Sequence, residues 1–166
     1  ADHRWLTEQP DFFVKDSTGK AAMAVDWADT RQLDYKNPVM QDSMIAAMKY
    51  WVSTTDIDGF RCDVAWNVPA SFWRKCIPQI KKMKSIFMLA EGEKPELHEA
   101  GFNATYAWSN MHLLKELYKG EKTLKQFDSA LNAGIARLPK NAYRLFFTSN
   151  HDENSWNGTE FEKYGE

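Results

Sequence analysis

The sequence predicts an α/β fold with a parallel sheet, and three observations support this. Apolar runs of strand length alternate along the 166-residue chain with segments of helical length and periodicity. The apolar runs lack strict polar alternation, which is typical of strands covered on both faces. Acidic and other polar residues directly follow three of these runs. Together these features favour strands joined by crossover helices, with a site at the carboxyl edge of the sheet.

The composition is that of a folded globular domain. Hydrophobic residues make up 43% and charged residues 27% of the chain, and the net charge is −2. We expect no nucleic-acid partner because there is no basic excess. We expect no membrane span because no apolar run approaches the roughly 20 residues that one needs. The start of the chain has no signal-peptide pattern, and no cell location is predicted. Cys62 and Cys76 are interpreted as two buried thiols.

The first 37 residues differ from the rest of the chain. Residues 1–37 lack sustained periodicity and are predicted to form an irregular excursion with a short helix near Trp5. The alternating strands and helices occupy residues 38–166. Asn37-Pro38 predicts the start of a helix, with Asn as the cap and Pro in the first turn. The inward stripe of this helix is predicted to contain Met40, Met44, Ile45, Met48, Trp51 and Val52.

Four strands and three more helices are predicted after this helix. Strands are predicted at residues 57–64, 85–90, 103–108 and 143–148. Helices are predicted from Pro69 to the lysine-rich residues 81–84, over residues 109–118, and over residues 123–137. The inward faces of the first and last of these helices are assigned to Trp73, Cys76, Ile77 and Ile80, and to Leu124, Phe127, Leu131 and Ile135.

The acidic residues at the strand ends have the spacing of a (β/α)8 barrel. One strand–helix unit of such a barrel takes roughly 31 residues. Asp63 and Glu91 are 28 positions apart, and Glu91 and Asp152 are 61 positions apart. These separations correspond to about one unit and about two units. The three carboxylates are therefore expected to converge over one barrel mouth.

Two carboxylates at one cleft suit the cleavage of a glycosidic bond. One must be ionised, and the other must give its proton to the leaving oxygen. Arg61 shares a strand face with Asp63, where its positive charge would stabilise the ionised aspartate. Trp66 follows the same strand and offers a ring for stacking on a sugar. The rival interpretation is a small doubly wound domain with a metal-assisted hydrolase site, whose divalent ion would be held by Asp63, Glu91, His151 and Asp152.

Three motifs resemble conserved regions of the α-amylase family of glycoside hydrolases. Residues 58–65, Asp-Gly-Phe-Arg-Cys-Asp-Val-Ala, resemble the family's second region. Residues 86–91, Ile-Phe-Met-Leu-Ala-Glu, resemble the third, and residues 147–152, Phe-Thr-Ser-Asn-His-Asp, resemble the fourth. Their order and spacing also match. The resemblance implies a partial (β/α)8 TIM-type barrel with about strands four to seven over residues 38–166, and residues 1–37 as the excursion after strand three.

The resemblance also implies an activity and a set of site residues. The activity is that of a retaining glycoside hydrolase acting on α-glucosidic linkages of starch-like glucans or malto-oligosaccharides. Asp63 matches the nucleophile, Glu91 the general acid/base, and Asp152 the residue that stabilises the transition state. The substrate-binding positions are Arg61, His151 and Trp66, where Arg61 also orients the nucleophile.

Several departures from the family pattern leave alternatives open. The family's first conserved region and its other strands are expected to lie outside this sequence. Trp66-Asn67 stands where many relatives have Lys-His, and Gln32 stands where calcium-binding relatives have Asp, so no metal or other cofactor is predicted. The alternatives are a transglycosylase of the same family and a catalytically incomplete fragment that binds only glucan or nothing. Open barrel edges also predict self-association.

Overall fold

Four parallel strands form one sheet in the computed structural model, which describes residues 3–165. The strands are β1 (Gly59–Cys62), β2 (Phe87–Ala90), β3 (Ala104–Tyr106) and β4 (Tyr143–Leu145). Their order in the sheet is the order of the sequence, and every neighbouring pair is parallel. The predicted α/β class and parallel sheet are therefore confirmed.

The helices lie before, between and after the strands. Within residues 3–165 they are α1 (Trp5–Glu8), α2 (Pro38–Thr55), α3 (Ala70–Lys81), α4 (Pro95–Glu99), α5 (Trp108–Tyr118), α6 (Leu124–Ala136), α7 (His151–Trp156) and α8 (Glu160–Tyr164). Two 3₁₀ turns occur at Pro10–Phe12 and Ala65–Asn67. The sequence predicted the longer helices and the short α1, but it did not predict α4, α7 or α8. No helix in the described part of the chain has both the length and the apolarity to cross a lipid bilayer.

The chain divides into two compact units. The first runs to Ile57 and includes Gln79–Lys84, and the second contains Asp58–Pro78 and the chain from Ser85 onward. The first unit has a small core of its own, in which Phe12, Phe13 and Met40 are buried and pack with Trp5, Leu6, Ala21, Leu33, Tyr35 and Met44. The segment predicted to be irregular is thus held by an apolar cluster. The domain boundary predicted at residue 37 stays a prediction.

Helix α2 begins as its sequence predicts. The Asn37 side-chain oxygen accepts hydrogen bonds from the backbone N–H groups of Val39 and Met40, at 2.9 and 3.2 Å. Of the predicted inward stripe, Met40, Ile45 and Val52 are buried. Trp51 is 53% exposed, so its assignment to the stripe was wrong. Its position one residue before Val52 turns it about 100° away from that side chain around the helix.

The inward face of α3 is confirmed and that of α6 is not. Trp73, Cys76, Ile77 and Ile80 are each at most 5% exposed. In α6, Leu124 is 73% and Ile135 is 50% exposed, because no described element covers these two side chains. A helical period identifies the apolar stripe, but it does not say whether a neighbour packs over the whole stripe.

The two faces of the sheet differ in burial. The register places Cys62, Met88, Ala90 and Thr105 on one face, and all four are at most 8% exposed. The opposite face is partly open, with Phe87, Tyr143 and Leu145 between 38% and 66% exposed. Exposed apolar surface of this kind favours association. The self-association expected from the sequence therefore stays a prediction for a measurement of mass in solution.

The two cysteines are buried and form no disulfide bond. Burial raises the pKa of the Cys62 thiol to about 12, and nearby Cys76 adds to this increase. The Cys62 thiol therefore stays protonated at neutral pH and acts as a small apolar side chain. This agrees with the interpretation of both residues as buried thiols.

A buried ion pair joins α7 to α8. Lys163 Nζ donates a hydrogen bond to Glu153 Oε2 at 2.8 Å, and the two side chains are 2% and 9% exposed. Asn157 Nδ2 donates to the other Glu153 oxygen at 3.1 Å. Burial by itself raises the pKa of Glu153, but the bonds from Lys163 and Asn157 and the charge of Lys163 bring it below its ordinary value of 4.5. The pair fixes the helix that carries His151 and Asp152.

We expect Lys163→Met to destabilise the full-length protein by about 3 kcal/mol at pH 7, because it leaves the Glu153 carboxylate buried without a cation. A carboxyl whose folded-state pKa is lowered adds stability above its ordinary pKa, and this stability is lost as the pH falls through the folded-state pKa. The destabilisation should therefore shrink below pH 4.5. Denaturant unfolding of the wild-type and variant proteins at several pH values measures the difference.

The matched control is Lys94→Met. Lys94 lies 4.0 Å from Glu96 on the surface, where the two side chains are 57% and 51% exposed. Exposed pairs of this kind contribute about 0–1 kcal/mol, so this variant should unfold almost like the wild-type protein. Equal stability of the Lys163 and Lys94 variants at pH 7 would contradict a stabilising role for the buried pair.

Candidate active site

One guanidinium contacts both of the acidic residues that follow the first two strands. Arg61 lies on β1, and its Nη1 donates to Oδ1 of Asp63. Its Nη2 lies 3.5 Å from Oε1 of Glu91. The pairing of Arg61 with Leu89 in the sheet places these two strand ends side by side. The structure thus brings together three of the six site residues expected from the sequence.

Glu91 is held in place from two sides. Its backbone N–H donates to the Cys62 carbonyl oxygen at 3.0 Å, which extends the ladder between β1 and β2 by one residue. Its side-chain Oε2 accepts the backbone N–H of Val64 at 2.6 Å. The Glu91 side chain is 11% exposed, whereas that of Asp63 is 70% exposed. The two carboxylates therefore differ in environment: one is enclosed and the other is open to a ligand.

Val64 adopts a strained backbone conformation directly after Asp63. Its φ angle is 47°, in the left-handed region that a β-branched residue rarely adopts. The resulting turn directs the Val64 N–H at Glu91 and leads into the 3₁₀ turn, where the Asn67 N–H donates to the Val64 carbonyl at 2.9 Å. Strain of this kind concentrates at functional sites. Nothing in the local sequence predicts it, since valine is a poor residue for this conformation.

Arg61 remains charged in this setting. Burial by itself lowers the pKa of its guanidinium, but the hydrogen bonds to Tyr106 and Asp63 and the charge of Glu91 raise it above its ordinary value. A permanent cation therefore lies between the two carboxylates. The sequence identified Arg61 and Asp63 as a pair, but it did not identify Tyr106, which is 45 residues from Arg61.

His151 and Asp152 occupy a helix and not a strand end. The predicted strand at residues 143–148 ends at Leu145, and both residues lie in the first turn of α7. The cause is Asn150, whose side-chain oxygen accepts the Glu153 N–H at 2.8 Å and caps the helix. His151 Nε2 lies 3.4 Å from Asp152 Oδ2, and the two side chains are 72% and 53% exposed.

Asp152 and His151 are not bonded directly to the three residues around the Arg61 guanidinium. Among residues 3–165, neither has a hydrogen bond or ion pair to Arg61, Asp63 or Glu91. Their exposure leaves both side chains accessible to a ligand. The roles that the sequence resemblance implies for these two residues stay predictions.

Trp66 lies in the 3₁₀ turn after β1 and is 41% exposed. Its backbone N–H donates to the Glu91 carbonyl oxygen at 3.3 Å, so it sits on the same edge as the two carboxylates. An exposed indole at this edge is available for stacking on a sugar ring. Its assignment to substrate binding stays a prediction.

The rival metal site can be compared with the observed geometry. Within residues 3–165 no three His, Cys, Asp or Glu side chains lie close enough together to hold a metal ion. Asp63, Glu91, His151 and Asp152 therefore do not form such a group in this structure. The nearest cation to Asp63 and Glu91 is Arg61 of the chain itself.

Comparison with known families identifies the class of protein to which this chain belongs. Residues 13–136 match the family model described as the alpha-amylase catalytic domain. The chain belongs to this family. The match covers most of the chain, including Asp63 and Glu91, and it confirms the resemblance found from the sequence motifs. The family is one of glycoside hydrolases, and two carboxylates side by side at the ends of neighbouring strands agree with that chemistry.

Curated relatives of this alpha-amylase family chain include amylases from archaea and bacteria. It is 26% identical over 134 residues to the alpha-amylase MalA of Haloarcula japonica, covering 77% of this chain and 20% of that protein. It is 28% identical over 133 residues to the intracellular maltogenic amylase of Bacillus subtilis, covering 75% of this chain and 22% of that protein. The chain thus spans about a fifth of the length of these relatives.

Solved structures of alpha-amylases share the fold. The alpha-amylase from Lactobacillus plantarum superposes with a TM-score of 0.84 at 29% identity, over 91% of this chain and 40% of that one. The noncanonic maltogenic alpha-amylase AmyB from Thermotoga neapolitana superposes with a TM-score of 0.81 at 28% identity, over 89% of this chain and 35% of that one. The four-stranded parallel sheet is therefore part of a (β/α)8 barrel, as the sequence predicted.

Proposed function

We propose that the protein containing this chain is a retaining glycoside hydrolase that acts on α-glucosidic linkages of starch-like glucans or malto-oligosaccharides. The observation that carries the proposal is the contact of one Arg61 guanidinium with both Asp63 and Glu91 at the carboxyl ends of neighbouring strands. The substrate class is supported by relatives named alpha-amylase and maltogenic amylase.

The two carboxylates divide the reaction between them. In the first step an Asp63 oxygen attacks the anomeric carbon, while Glu91 gives its proton to the glycosidic oxygen and the leaving sugar departs. In the second step Glu91 takes a proton from water, and the resulting hydroxide attacks the anomeric carbon and frees Asp63. The high exposure of Asp63 suits attack on a ligand, and the enclosed position of Glu91 suits controlled proton transfer.

We expect protonation of Glu91 to weaken its contacts with the two donors around it. Its Oε2 accepts the Val64 N–H, and its Oε1 faces the Arg61 guanidinium. Both partners are donors, and a neutral carboxyl attracts a guanidinium less than a carboxylate does. The Arg61 contact at 3.5 Å is longer than the Val64 bond at 2.6 Å. We therefore expect the Arg61 contact to open first, when substrate enters.

The remaining site residues are proposed to act on the sugar. Asp152 would bind sugar hydroxyls and stabilise the transition state, and His151 would contact the sugar at the cleavage point. Trp66 would provide a stacking surface beside Glu91. The exposure of all three side chains supports these roles because a ligand can reach them.

A catalytically incomplete fragment is the second candidate. It is favoured by the length of the match, because the chain covers 20% of the alpha-amylase MalA of Haloarcula japonica. The chain also spans only 40% of the alpha-amylase structure from Lactobacillus plantarum. A transglycosylase would share the same two carboxylates and would differ in the acceptor that enters the second step.

Product analysis tests the proposal. The full-length protein and the isolated 166-residue chain are each incubated with maltoheptaose, and early products are followed by proton NMR. We expect the full-length protein to release shorter maltosaccharides whose new reducing ends are first α-anomers. Products with β-anomers would contradict retention, and longer saccharides would indicate transfer. Turnover by the full-length protein but not by the isolated chain would show that the chain is only part of the site.

A further inference from the structure

Tyr106 provides the third contact of the Arg61 guanidinium. Its hydroxyl accepts a hydrogen bond from Arg61 Nε at 3.3 Å, and Arg61 Cζ lies 5.6 Å from the centre of its ring. The register runs from Arg61 through Leu89 to Ala104, so Tyr106 lies on the same face of the sheet, two strands away. Two strand spacings amount to about 10 Å, a distance that extended Arg and Tyr side chains bridge together.

We propose that Tyr106 is a positioning residue that holds Arg61 against Asp63 during the reaction. This inference rests on the function proposed for Asp63 and Glu91. Each nitrogen of the guanidinium has a different partner: Nη1 contacts Asp63, Nη2 faces Glu91, and Nε donates to Tyr106. Three contacts around a planar group fix both its position and its tilt, which a single ion pair does not.

The Tyr106 contact matters most when Glu91 carries a proton. At that stage the Arg61–Glu91 contact has opened, and Asp63 and Tyr106 are the remaining partners of the guanidinium. The groups that face Arg61 are Tyr106, Asp63 and Glu91. Without the tyrosine hydroxyl, the long arginine side chain would have one remaining partner, and that partner is 70% exposed. Tyr106 thus keeps the positive charge beside Asp63 while Glu91 changes its partner.

Tyr106 is itself fixed by an aromatic cluster, defined here as Tyr106, Trp108 and Phe147. Tyr106 is 8% exposed. Its ring stacks on Trp108 at 5.9 Å between centroids and meets the edge of Phe147 at 5.3 Å. Trp108 and Phe147 also meet edge to face at 4.8 Å. Since Phe147 lies in the segment that leads to Asn150, the cluster ties Arg61 to the segment before α7.

Tyr106→Phe removes only the hydroxyl and keeps the aromatic cluster. We expect kcat of the full-length protein on maltoheptaose to fall about tenfold, while KM changes less than twofold. A merely structural residue would change the amount of folded enzyme, whereas a positioning residue lowers kcat per folded molecule with KM nearly unchanged. The control is Tyr50→Phe, since Tyr50 is 59% exposed on α2.

A second readout does not depend on turnover. Hydrogen exchange of the Arg61 Nε–H, followed by NMR with ¹⁵N-labelled arginine, should be faster in Tyr106→Phe than in the wild-type or Tyr50→Phe proteins. If the wild-type protein has no turnover, the proposed function fails, and the exchange rate still reports the contact. If turnover is present but the exchange rate and kcat are unchanged in Tyr106→Phe, the role of Tyr106 is overturned.

Arg61→Lys tests the same idea should Tyr106→Phe fail to fold. Lysine keeps the positive charge but has no Nε–H and no planar fork. We expect kcat to fall while KM changes less than twofold, as in Tyr106→Phe. A folded Arg61→Lys protein with the wild-type kcat would overturn the proposal.

Discussion

Asp63→Asn should reduce turnover of maltoheptaose by the full-length protein on the order of 10⁴-fold. The amide cannot serve as a nucleophile, so the covalent glycosyl-enzyme does not form. The side chain at position 63 is 70% exposed, and the substitution keeps its size, so we expect the folded protein to be as stable as the wild type. Steady-state kinetics and thermal unfolding of the same preparations measure both effects.

Asp128→Asn is the matched control for this variant. Asp128 lies exposed on α6, where the same chemical change removes one carboxylate from the surface. We expect wild-type turnover and stability for this control. Substantial residual activity in Asp63→Asn would exclude Asp63 as the nucleophile. An equally large loss of turnover in Asp128→Asn would show that removing any carboxylate lowers turnover, whether or not that carboxylate acts in the reaction.

Glu91→Gln should reduce kcat/KM by 10²- to 10⁴-fold on maltoheptaose, whose leaving sugar needs a proton. On an aryl α-glucoside with a nitrophenol leaving group, the loss in kcat/KM should be at most about tenfold, because this group departs with little protonation. The ratio kcat/KM is the informative quantity, since it reports the first step. The second step still needs Glu91 as the base, so kcat should fall on both substrates.

Glu93→Gln provides the comparison for Glu91→Gln. Glu93 lies on the same edge of the sheet, but its carboxylate binds Arg144 and the N–H and hydroxyl of Ser109 at the start of α5. Its loss should weaken the fold and affect both substrates to the same extent. Equal losses on good and poor leaving groups in Glu91→Gln would argue against Glu91 as the acid.

Local sequence was sufficient wherever the cause of structure lies within a few residues. Asn37 and Pro38 specify the start of α2 because the cap and the first turn are adjacent in the chain. The same limited range explains one wrong prediction. The polar residues after the apolar run 143–148 are typical of a strand end, but the Asn150 side chain accepts the N–H of Glu153 and starts a helix. The same residue types end strands and cap helices, so the sequence alone does not distinguish the two.

The burial of charged residues could not be predicted from the sequence. Lys163 lies in a polar segment near the end of the sequence, where a lysine is normally solvated. It is buried because Glu153, ten residues away, points at it from another helix. The sequence around Glu93 likewise does not indicate that its carboxylate binds Arg144, which is 51 residues away. Such pairs depend on how helices and strands are placed, and periodicity carries no information on that.

The sequence by itself determined the family, the parallel α/β architecture and the candidates Arg61, Asp63 and Glu91, since apolar periodicity and short motifs are local properties. Only the tertiary structure decided that one guanidinium contacts both acids and that Val64 turns its N–H toward Glu91. It also decided that the Tyr106 hydroxyl is the third partner of the Arg61 guanidinium. Apart from Arg61–Asp63, these contacts join residues 27 to 45 positions apart, which the pairing of strands brings close together.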